Sequence, residues 1–280
     1  MKYFFAKGLG LREKDEVFSR FELAPNLRGT IYHEILMEYY KRLYQEGLTG
    51  ELFGSALQDR LHQSLDSHYN NGSYKYFGIY PVIWELLLQD IDAKLVDFVV
   101  KDAECLEGFV PQIFETLFEK EYVLSEYLCI KLKGIVDRID VDPKNKRFRV
   151  LDYKSSLSSK KGLAENMFRH LILQPFIYLL LVNQQPQTVG LEADGAALLG
   201  INKGYTRQEL SQTDFEMVSA KAADFFTLLM GFITSGCFFF NPSEHCQYCP
   251  YQSICRKDNF RSLLRARHAK EFDALEEAKQ

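Results

Sequence analysis

Residues 134–155 read Gly-Ile-Val-Asp-Arg-Ile-Asp-Val-Asp-Pro-Lys-Asn-Lys-Arg-Phe-Arg-Val-Leu-Asp-Tyr-Lys-Ser, two apolar runs around a short polar segment. The runs are typical of β-strands, and the segment Asp142–Lys146 has the Asp, Pro and Asn of a tight turn. A turn centred between the third and fourth residues of that segment opposes Asp137 to Asp152 in an antiparallel hairpin. The same register pairs two acids with two arginines, which favours it: Asp140 with Arg149, and Asp142 with Arg147.

The acids and the lysine of this hairpin predict a metal site. Opposed residues have Cβ atoms about 5 Å apart, so Asp137 and Asp152 can bind one divalent cation. Lys154 follows Asp152 by two positions and shares its face of the strand. Mg²⁺ takes carboxylate, water and phosphate oxygens, and a bound ion lowers the pKa of a water that attacks phosphorus. Lys154 can hold that water or stabilise developing charge, and the Tyr153 carbonyl is a further candidate ligand.

The two acids are expected to stand in an apolar lining. Strand alternation puts four apolar residues on their face: Ile135, Ile139, Phe148 and Val150. A buried carboxylate pair without a cation is costly, which favours the metal site over ordinary strand charges. The other hairpin charges are expected to be solvated: Asp140, Asp142, Arg147 and Arg149.

Length and charge limit the class of protein. At 280 residues and 46% hydrophobic content, the chain can bury the core of one large domain or of one domain with appendages. Its net charge of -4 argues against coating nucleic acid by bulk electrostatics, but it allows a local basic track. No apolar run approaches about 20 residues, and the N-terminus has no signal-peptide pattern. We therefore expect a cytoplasmic protein without a membrane partner, whose cysteines are thiols or metal ligands.

Periodicity predicts a helical first third followed by a mixed sheet. Helices are predicted at about 28–46, 51–69, 80–104, 164–182 and 213–235, with a basic last helix. Strands are predicted at 113–124, 128–142, 147–153 and 188–200. The central order is therefore β-β-β-α-β, which indicates an α/β protein with helices flanking the sheet.

Four motifs, in order along the chain, resemble those of the PD-(D/E)XK nuclease superfamily in its RecB/AddB-like branch. They are Arg28-Gly-Thr-Ile-Tyr-His33, Gly134-x-x-Asp137-x-x-Asp140, Asp152-Tyr-Lys-Ser155 and Gln174-x-x-x-Tyr178. The resemblance implies a restriction-endonuclease-like αβββαβ core with a large N-terminal helical region and a C-terminal Cys-rich loop plus helix. It divides the chain into a helical lead-in at 1–110, a nuclease core at 111–235, and a cysteine segment with a basic helix at 236–280.

The resemblance adds His33 to the metal ligands. In this branch a histidine on a helix joins the two strand carboxylates, which are Asp137 and Asp152 here. A site with one nitrogen ligand favours Mn²⁺ more than an all-oxygen site does. Glu119 matches an acidic position that precedes the family's metal strand. Taken alone, a helical histidine is more often structural than a ligand.

Gln174 and Tyr178 form the last of the four motifs. They are four residues apart and so share one helix face. The resemblance implies that they line the active-site cleft and orient Lys154 or the nucleic-acid backbone. Two polar groups packed on a core helix are the alternative explanation.

Three cysteines near the C-terminus have the C-x2-C-x5-C spacing of a metal-binding loop: Cys246, Cys249 and Cys255. In the AddB-like branch, three such cysteines join a fourth near the start of the nuclease domain and hold a [4Fe–4S] cluster. This sequence begins Met1-Lys-Tyr-Phe-Phe5, just after the position of that first cysteine. Either the start is truncated or another fourth ligand is used. Cys237 is a candidate, and zinc then becomes the alternative cofactor.

The expected partner is DNA, bound at ends or single strands without base-specific readout. Candidate phosphate contacts lie on the last helix and after the Asp-Tyr-Lys triplet: Arg256, Lys257, Arg261, Arg265, Arg267, Lys270, Lys160, Lys161 and Arg169. A solvated helix face explains the last helix equally well. The sequence has no Walker-type phosphate loop, so a motor would be a helicase subunit or another domain.

The motifs together predict an Mg²⁺- or Mn²⁺-dependent DNA exonuclease of repair or recombination. One alternative is a catalytically silent, nuclease-like DNA-binding subunit of a helicase–nuclease complex. A second is a CRISPR-associated spacer-acquisition exonuclease, although these are typically shorter. A third is a redox sensor built on the cysteine cluster.

Overall fold

The computed structural model describes residues 2, 4–11, 21–48, 55–70, 72–157, 162–239, 246, 249–256 and 258–279. The chain starts with a π-helical turn at Phe4–Gly8. The α-helices are α1 (Pro25–Gln45), α2 (Ser55–His68), α3 (Tyr74–Phe77), α4 (Pro81–Glu104), α5 (Leu163–His170), α6 (Gln174–Val182), α7 (Gln212–Thr234), α8 (Phe260–Arg267) and α9 (Lys270–Ala278). The strands are β1 (Val110–Ser125), β2 (Leu128–Asp142), β3 (Arg147–Lys154), β4 (Glu192–Gly200) and β5 (Thr206–Ser211).

The five strands form one sheet in the order β1-β2-β3-β4-β5. Strands β3 and β4 are parallel, and the other neighbours are antiparallel. The predicted hairpin register is confirmed where β2 and β3 pair, because Asp140 opposes Arg149 and Asp142 opposes Arg147. The turn forms as its composition predicts, since the Asp142 carboxylate accepts backbone N–H groups 3.1 and 3.0 Å away, those of residues 144 and 145.

Helices cover both faces of the sheet, each with its own apolar cluster. One cluster joins α1, α2 and α4 to Leu151 and Tyr153 of β3 and to residues of β4. The other joins α5, α6 and α7 to Phe148 and Val150 of β3. Alternate residues of one short strand thus serve two cores, as expected for a strand in the middle of a sheet. The mixed α/β fold class is confirmed.

Two expectations about the second half of the chain were wrong. The helix predicted at 164–182 is two helices, α5 and α6, separated by Leu171–Leu173; Leu171 is left-handed with φ 56°. Pro175 then lies in the first turn of α6, where its missing N–H costs no helical hydrogen bond. The strand predicted at 188–200 begins only at Glu192, and β5 was not predicted.

Three of the four hairpin charges are buried, contrary to expectation, while the Arg147 side chain is 39% exposed. Asp140, Asp142 and Arg149 are 0%, 2% and 3% exposed. Strand alternation gives the face on which a residue lies, but it does not say which helix covers that face. Here α4 covers it, and the charges pair with one another, which is the condition for burying them.

Helix α7 is long and apolar enough, by length and composition alone, to cross a membrane. This differs from the expectation that no apolar run approaches that length. Five residues of the helix are buried in the second apolar cluster: Phe215, Val218, Ala222, Phe225 and Phe226. Its N-terminus has a capping box between Ser211 and Asp214. One face of α7 is therefore part of the core beside the sheet.

Candidate metal centre

Strand alternation is interrupted on β1 and β2 at Glu115 and Asp137. The ladder pairs the residues on either side of them, but it does not pair these two. Val136 and Ile139 are three residues apart, yet both lie in the cluster under α6, which uninterrupted alternation forbids. Glu115 has a left-handed φ of 42°, a strained conformation for a residue other than glycine. Because of this interruption, the Asp137 carboxylate does not lie in the apolar cluster under α6.

This geometry corrects the apolar lining predicted around Asp137. Ile135 is 50% exposed, and Ile139 is buried under α6. Asp137 is itself 5% exposed, but its carboxylate lies against α1. The periodicity argument assumed a regular strand, and the strand is irregular at the residue that matters.

His33, Glu115 and Asp137 form one group of possible metal ligands, with one atom of each within 4.8 Å of the others. His33 Nδ1 lies 3.4 Å from Glu115 Oε1 and 3.4 Å from Asp137 Oδ2. Among the residues that the structure describes, no other group of three His, Cys, Asp or Glu side chains meets that criterion. Asp152 lies outside this group, but it is close enough for the Asp137 charge to raise its pKa.

The Tyr153 backbone holds both His33 and Asp137. Its N–H donates to Asp137 Oδ2 at 2.7 Å, and its carbonyl lies 3.1 Å from His33 Nε2. A carbonyl only accepts, so Nε2 carries a proton and Nδ1 is the nitrogen that faces the two carboxylates. The Tyr153 carbonyl was predicted to be a metal ligand. In the structure it contacts His33 Nε2, the ring nitrogen that does not face the two carboxylates.

Asp152 and Lys154 form an ion pair at the start of a polar chain. Lys154 Nζ lies 2.5 Å from Asp152 Oδ2 and donates to Gln174 Oε1 at 2.7 Å. Gln174 Nε2 in turn donates to the Tyr178 hydroxyl at 2.8 Å. Burial, followed by the negative charges of the site, raises the pKa of Tyr178 to about 12. The structure thus brings the Gln174 and Tyr178 pair to Lys154.

Several oxygen atoms of this site are buried without a hydrogen-bond donor, which is the pattern expected of a metal site. They include Oδ1 of Asp152 and Oε1 of Glu115, whereas Oδ2 of Asp152 has the Lys154 ammonium 2.5 Å away. Leaving such atoms unsatisfied is costly. Burial and then the Asp137 charge raise the pKa of Asp152 to about 6. The residues therefore fit a divalent cation, whose charge would offset both costs.

The negative charges of the site also affect the pKa of His33. Burial alone would lower it, but the carboxylates of Asp137 and Glu115 together raise it to about 10. A cation bound at Nδ1 requires the neutral ring, so metal and proton compete for this atom. Metal affinity is therefore expected to rise with pH.

Gly134, the first residue of the second motif, makes room for Tyr178. A Cβ at position 134 would lie 2.9 Å from Tyr178 Cε1 and 3.1 Å from Leu181 Cδ1. Real Cβ atoms essentially never come within 3.0 Å of another atom, so a larger residue would force the Tyr178 ring to move. Glycine is needed here for close packing, and the packing sets the position of the chain from Tyr178 to Lys154.

A cavity of about 570 Å³ opens beside the ligand group. It lies between the first half of α1 and β1, and it is lined by Asn26, Gly29, Thr30, His33, Glu34, Met37 and Glu115. Its volume lies within the usual range of ligand pockets. The candidate metal centre is therefore accessible from outside along α1.

Glu115 is the site residue that the sequence analysis did not identify, and Glu119 is not at the site. Glu119 is on the surface, where it pairs with Lys131 at 2.6 Å and with Lys133 at 2.7 Å. The available signal was the position between Phe114 and Thr116, which pair with the two neighbours of Asp137. It could be used only after the long β1–β2 register was known.

We expect Glu115→Gln to weaken Mn²⁺ binding about 10- to 100-fold, because it removes a charged oxygen next to His33 and Asp137. Titration calorimetry of the purified protein with Mn²⁺ measures this. Glu119→Gln is the matched control, since it changes the same residue type four positions along the strand. Equal affinities of the two variants would contradict the assignment of Glu115.

The cysteines of the C-terminal segment are described only in part. Cys246, Cys249 and Cys255 are all partly buried, and they do not form a metal group within 4.8 Å among the described residues. The segment does contact the start of the chain: Tyr251 packs on Phe5 at 5.5 Å and donates to the Leu11 carbonyl at 3.0 Å. The predicted basic helix is two helices, α8 and α9. Lys160, Lys161 and Lys257 lie outside the described residues.

A five-stranded mixed sheet with helices on both faces and a His–Glu–Asp group beside an Asp–Lys pair defines an α/β protein with a candidate divalent-metal site. The model of the PD-(D/E)XK nuclease superfamily matches residues 1–256, and the chain belongs to this superfamily. Membership implies metal-dependent nuclease activity in general and binding of nucleic acid. No curated protein matches the chain. Among solved structures, it is similar to SSO0001 at 20% identity and TM-score 0.31, over 68% of this chain and 78% of that one.

Proposed function

We propose that this protein is a metal-dependent DNA exonuclease that acts on DNA ends or single strands in repair or recombination. The main support is the ligand group of His33, Glu115 and Asp137 beside the ion pair of buried Asp152 with partly exposed Lys154. Superfamily membership supports phosphodiester hydrolysis, and the cavity along α1 supports access for a flexible strand end. The preference for DNA ends or single strands and the role in repair or recombination are proposals that go beyond superfamily membership.

The residues have distinct proposed roles. His33, Glu115, Asp137 and Asp152 hold Mg²⁺ or Mn²⁺, which when bound polarises the phosphate and lowers the pKa of a water. Lys154 orients that water and stabilises negative charge on the phosphate oxygens. Gln174 and Tyr178 hold Lys154 in place through the hydrogen bonds described above.

We expect Lys154→Ala to lower the rate of DNA cleavage about 10²-fold or more, because it removes one preorganised charge from the reacting phosphate. The assay uses linear DNA, single- and double-stranded, with and without Mg²⁺ or Mn²⁺. Lys133→Ala is the control, since Lys133 is 59% exposed and pairs only with Glu119 among the described ion pairs. Cleavage by Lys154→Ala at the wild-type rate would contradict the catalytic role of Lys154. No metal-dependent cleavage by the wild type would favour a nuclease-like subunit that binds DNA without cutting it.

We also propose that the chain belongs to the RecB/AddB-like branch and holds a [4Fe–4S] cluster at Cys246, Cys249 and Cys255, with zinc as the alternative. The contact of Tyr251 with Phe5 supports this, because a cluster that links the two ends of the domain needs them to be adjacent. A helicase subunit or domain is the proposed partner. Iron, sulfide and zinc analysis of protein purified without oxygen tests the cofactor.

A further inference from the structure

A buried network of charges and tyrosines lies behind the candidate metal centre. Arg138, which is 0% exposed, donates to Asp102 at 2.8 Å and to Asp140 at 2.7 Å. Asp102 also accepts from the Tyr40 hydroxyl at 2.5 Å. Burial opposes the ionised form, but the Arg138 guanidinium lowers the pKa of Asp102. The network therefore ties α1, α4 and β2 together through groups that are ionised and satisfied.

One bond connects this network to the metal centre. Arg138 Nη1 donates to the Tyr153 hydroxyl at 3.2 Å, and the Tyr153 side chain is 2% exposed. The backbone of the same residue donates to Asp137 and accepts from His33. Tyr153 thus touches the network with its side chain and two proposed metal ligands with its main chain.

We propose that Arg138 and Tyr153 are positioning residues, and that the Tyr153 hydroxyl fixes the peptide that orients His33 and Asp137 for the metal. The inference rests on the proposed function, since it assumes that those two residues bind the ion. Partners of metal ligands keep the ligands in the binding orientation, and their loss typically weakens metal affinity about 10- to 100-fold. Neither residue needs to touch metal or DNA to have this effect.

Tyr153→Phe is the sharpest test, because it deletes only the oxygen that accepts from Arg138. Tyr205→Phe is the matched control: its hydroxyl donates to Asp102 at 3.4 Å, on the same network but without a recorded contact to His33 or Asp137. Mn²⁺ affinity of the folded proteins is measured by calorimetry without DNA, with Asp137→Ala as the blank for binding elsewhere. We expect about a tenfold or greater loss for Tyr153→Phe and less than a twofold change for Tyr205→Phe.

The outcomes separate this inference from the proposed function. If the wild-type protein binds no more Mn²⁺ than Asp137→Ala does, the metal centre itself is overturned. If the wild type binds Mn²⁺ and Tyr153→Phe binds it equally well, the positioning role alone is overturned. This holds whether the Tm of the variant is equal to that of the wild type or lower. Arg138→Lys is the second variant, since a lysine keeps the charge but not the fork of donors. Equal weakening by Tyr205→Phe would also overturn the proposal, because the network would then act only through general stability.

Discussion

Asp152→Asn is expected to lower the rate of DNA cleavage about 10³-fold and to raise the Tm of the metal-free protein. The rate falls because a proposed metal ligand loses its charge in a site built on preorganised charges. The Tm rises because burial and the Asp137 charge together outweigh the ion pair with Lys154, so the wild-type carboxylate is destabilised by folding. Cleavage of linear DNA in Mg²⁺ and thermal unfolding in a chelator measure the two effects.

The gain in Tm should depend on pH in a defined direction. Asp152 has its pKa raised from 3.8 to about 6 in the folded protein, so folding favours its protonated form. This group costs no stability below about pH 4, and its cost grows as the pH rises towards 6. The Tm gain of the Asn variant is therefore expected to be largest above pH 6 and to disappear near pH 4.

Asp142→Asn is the matched control for that experiment. Asp142 is also a buried acid of the hairpin, but its oxygens accept hydrogen bonds from the turn and pair with Arg147 at 3.2 Å. Its replacement is expected to lower the Tm and leave the cleavage rate within severalfold of wild type. If Asp152→Asn also lowers the Tm of the metal-free protein, the carboxylate is stabilising and its proposed role as a metal ligand loses its main support.

Arg138→Met is expected to lower the free energy of unfolding by about 3–5 kcal/mol, because it leaves Asp102 and Asp140 buried without their shared cation. Urea unfolding followed by circular dichroism measures the loss. Arg42→Met is the control: Arg42 also pairs with an acid, Glu38 at 2.5 Å, but both side chains are partly exposed. Such a pair contributes about 0–1 kcal/mol.

A loss below about 1 kcal/mol for Arg138→Met would contradict the buried network as a source of stability. The two aspartates would then be neutral or paired elsewhere in the folded protein. The pH dependence of unfolding distinguishes these cases, because neutral acids release protons on unfolding near neutral pH.

Local chemistry in the sequence was sufficient for the hairpin. Asp142 and Asn145 form the turn, and the turn sets the register that pairs Asp140 with Arg149. A hairpin register is local because it depends on residues within a few positions of the turn. The β2–β3 pairing keeps this register as far as Arg138 and Leu151 and ends one position before the predicted pair of Asp137 and Asp152, whose opposition stays a prediction.

Long-range contacts account for the remaining differences. Glu115 reaches His33 and Asp137 because β1 pairs with β2 along their whole length and carries a left-handed residue at one point. Helix α4 buries charges that alternation alone predicted to be solvated. Neither feature is encoded in residues close to the site along the chain.

The linear sequence thus contained the hairpin, the lysine and the four motifs, because spacing along a strand or helix determines which side chains share a face. The ligand group of His33, Glu115 and Asp137 required the folded chain. It joins a helix to two strands, and Glu115 on the first strand has a left-handed φ that the residue types of the sequence do not predict.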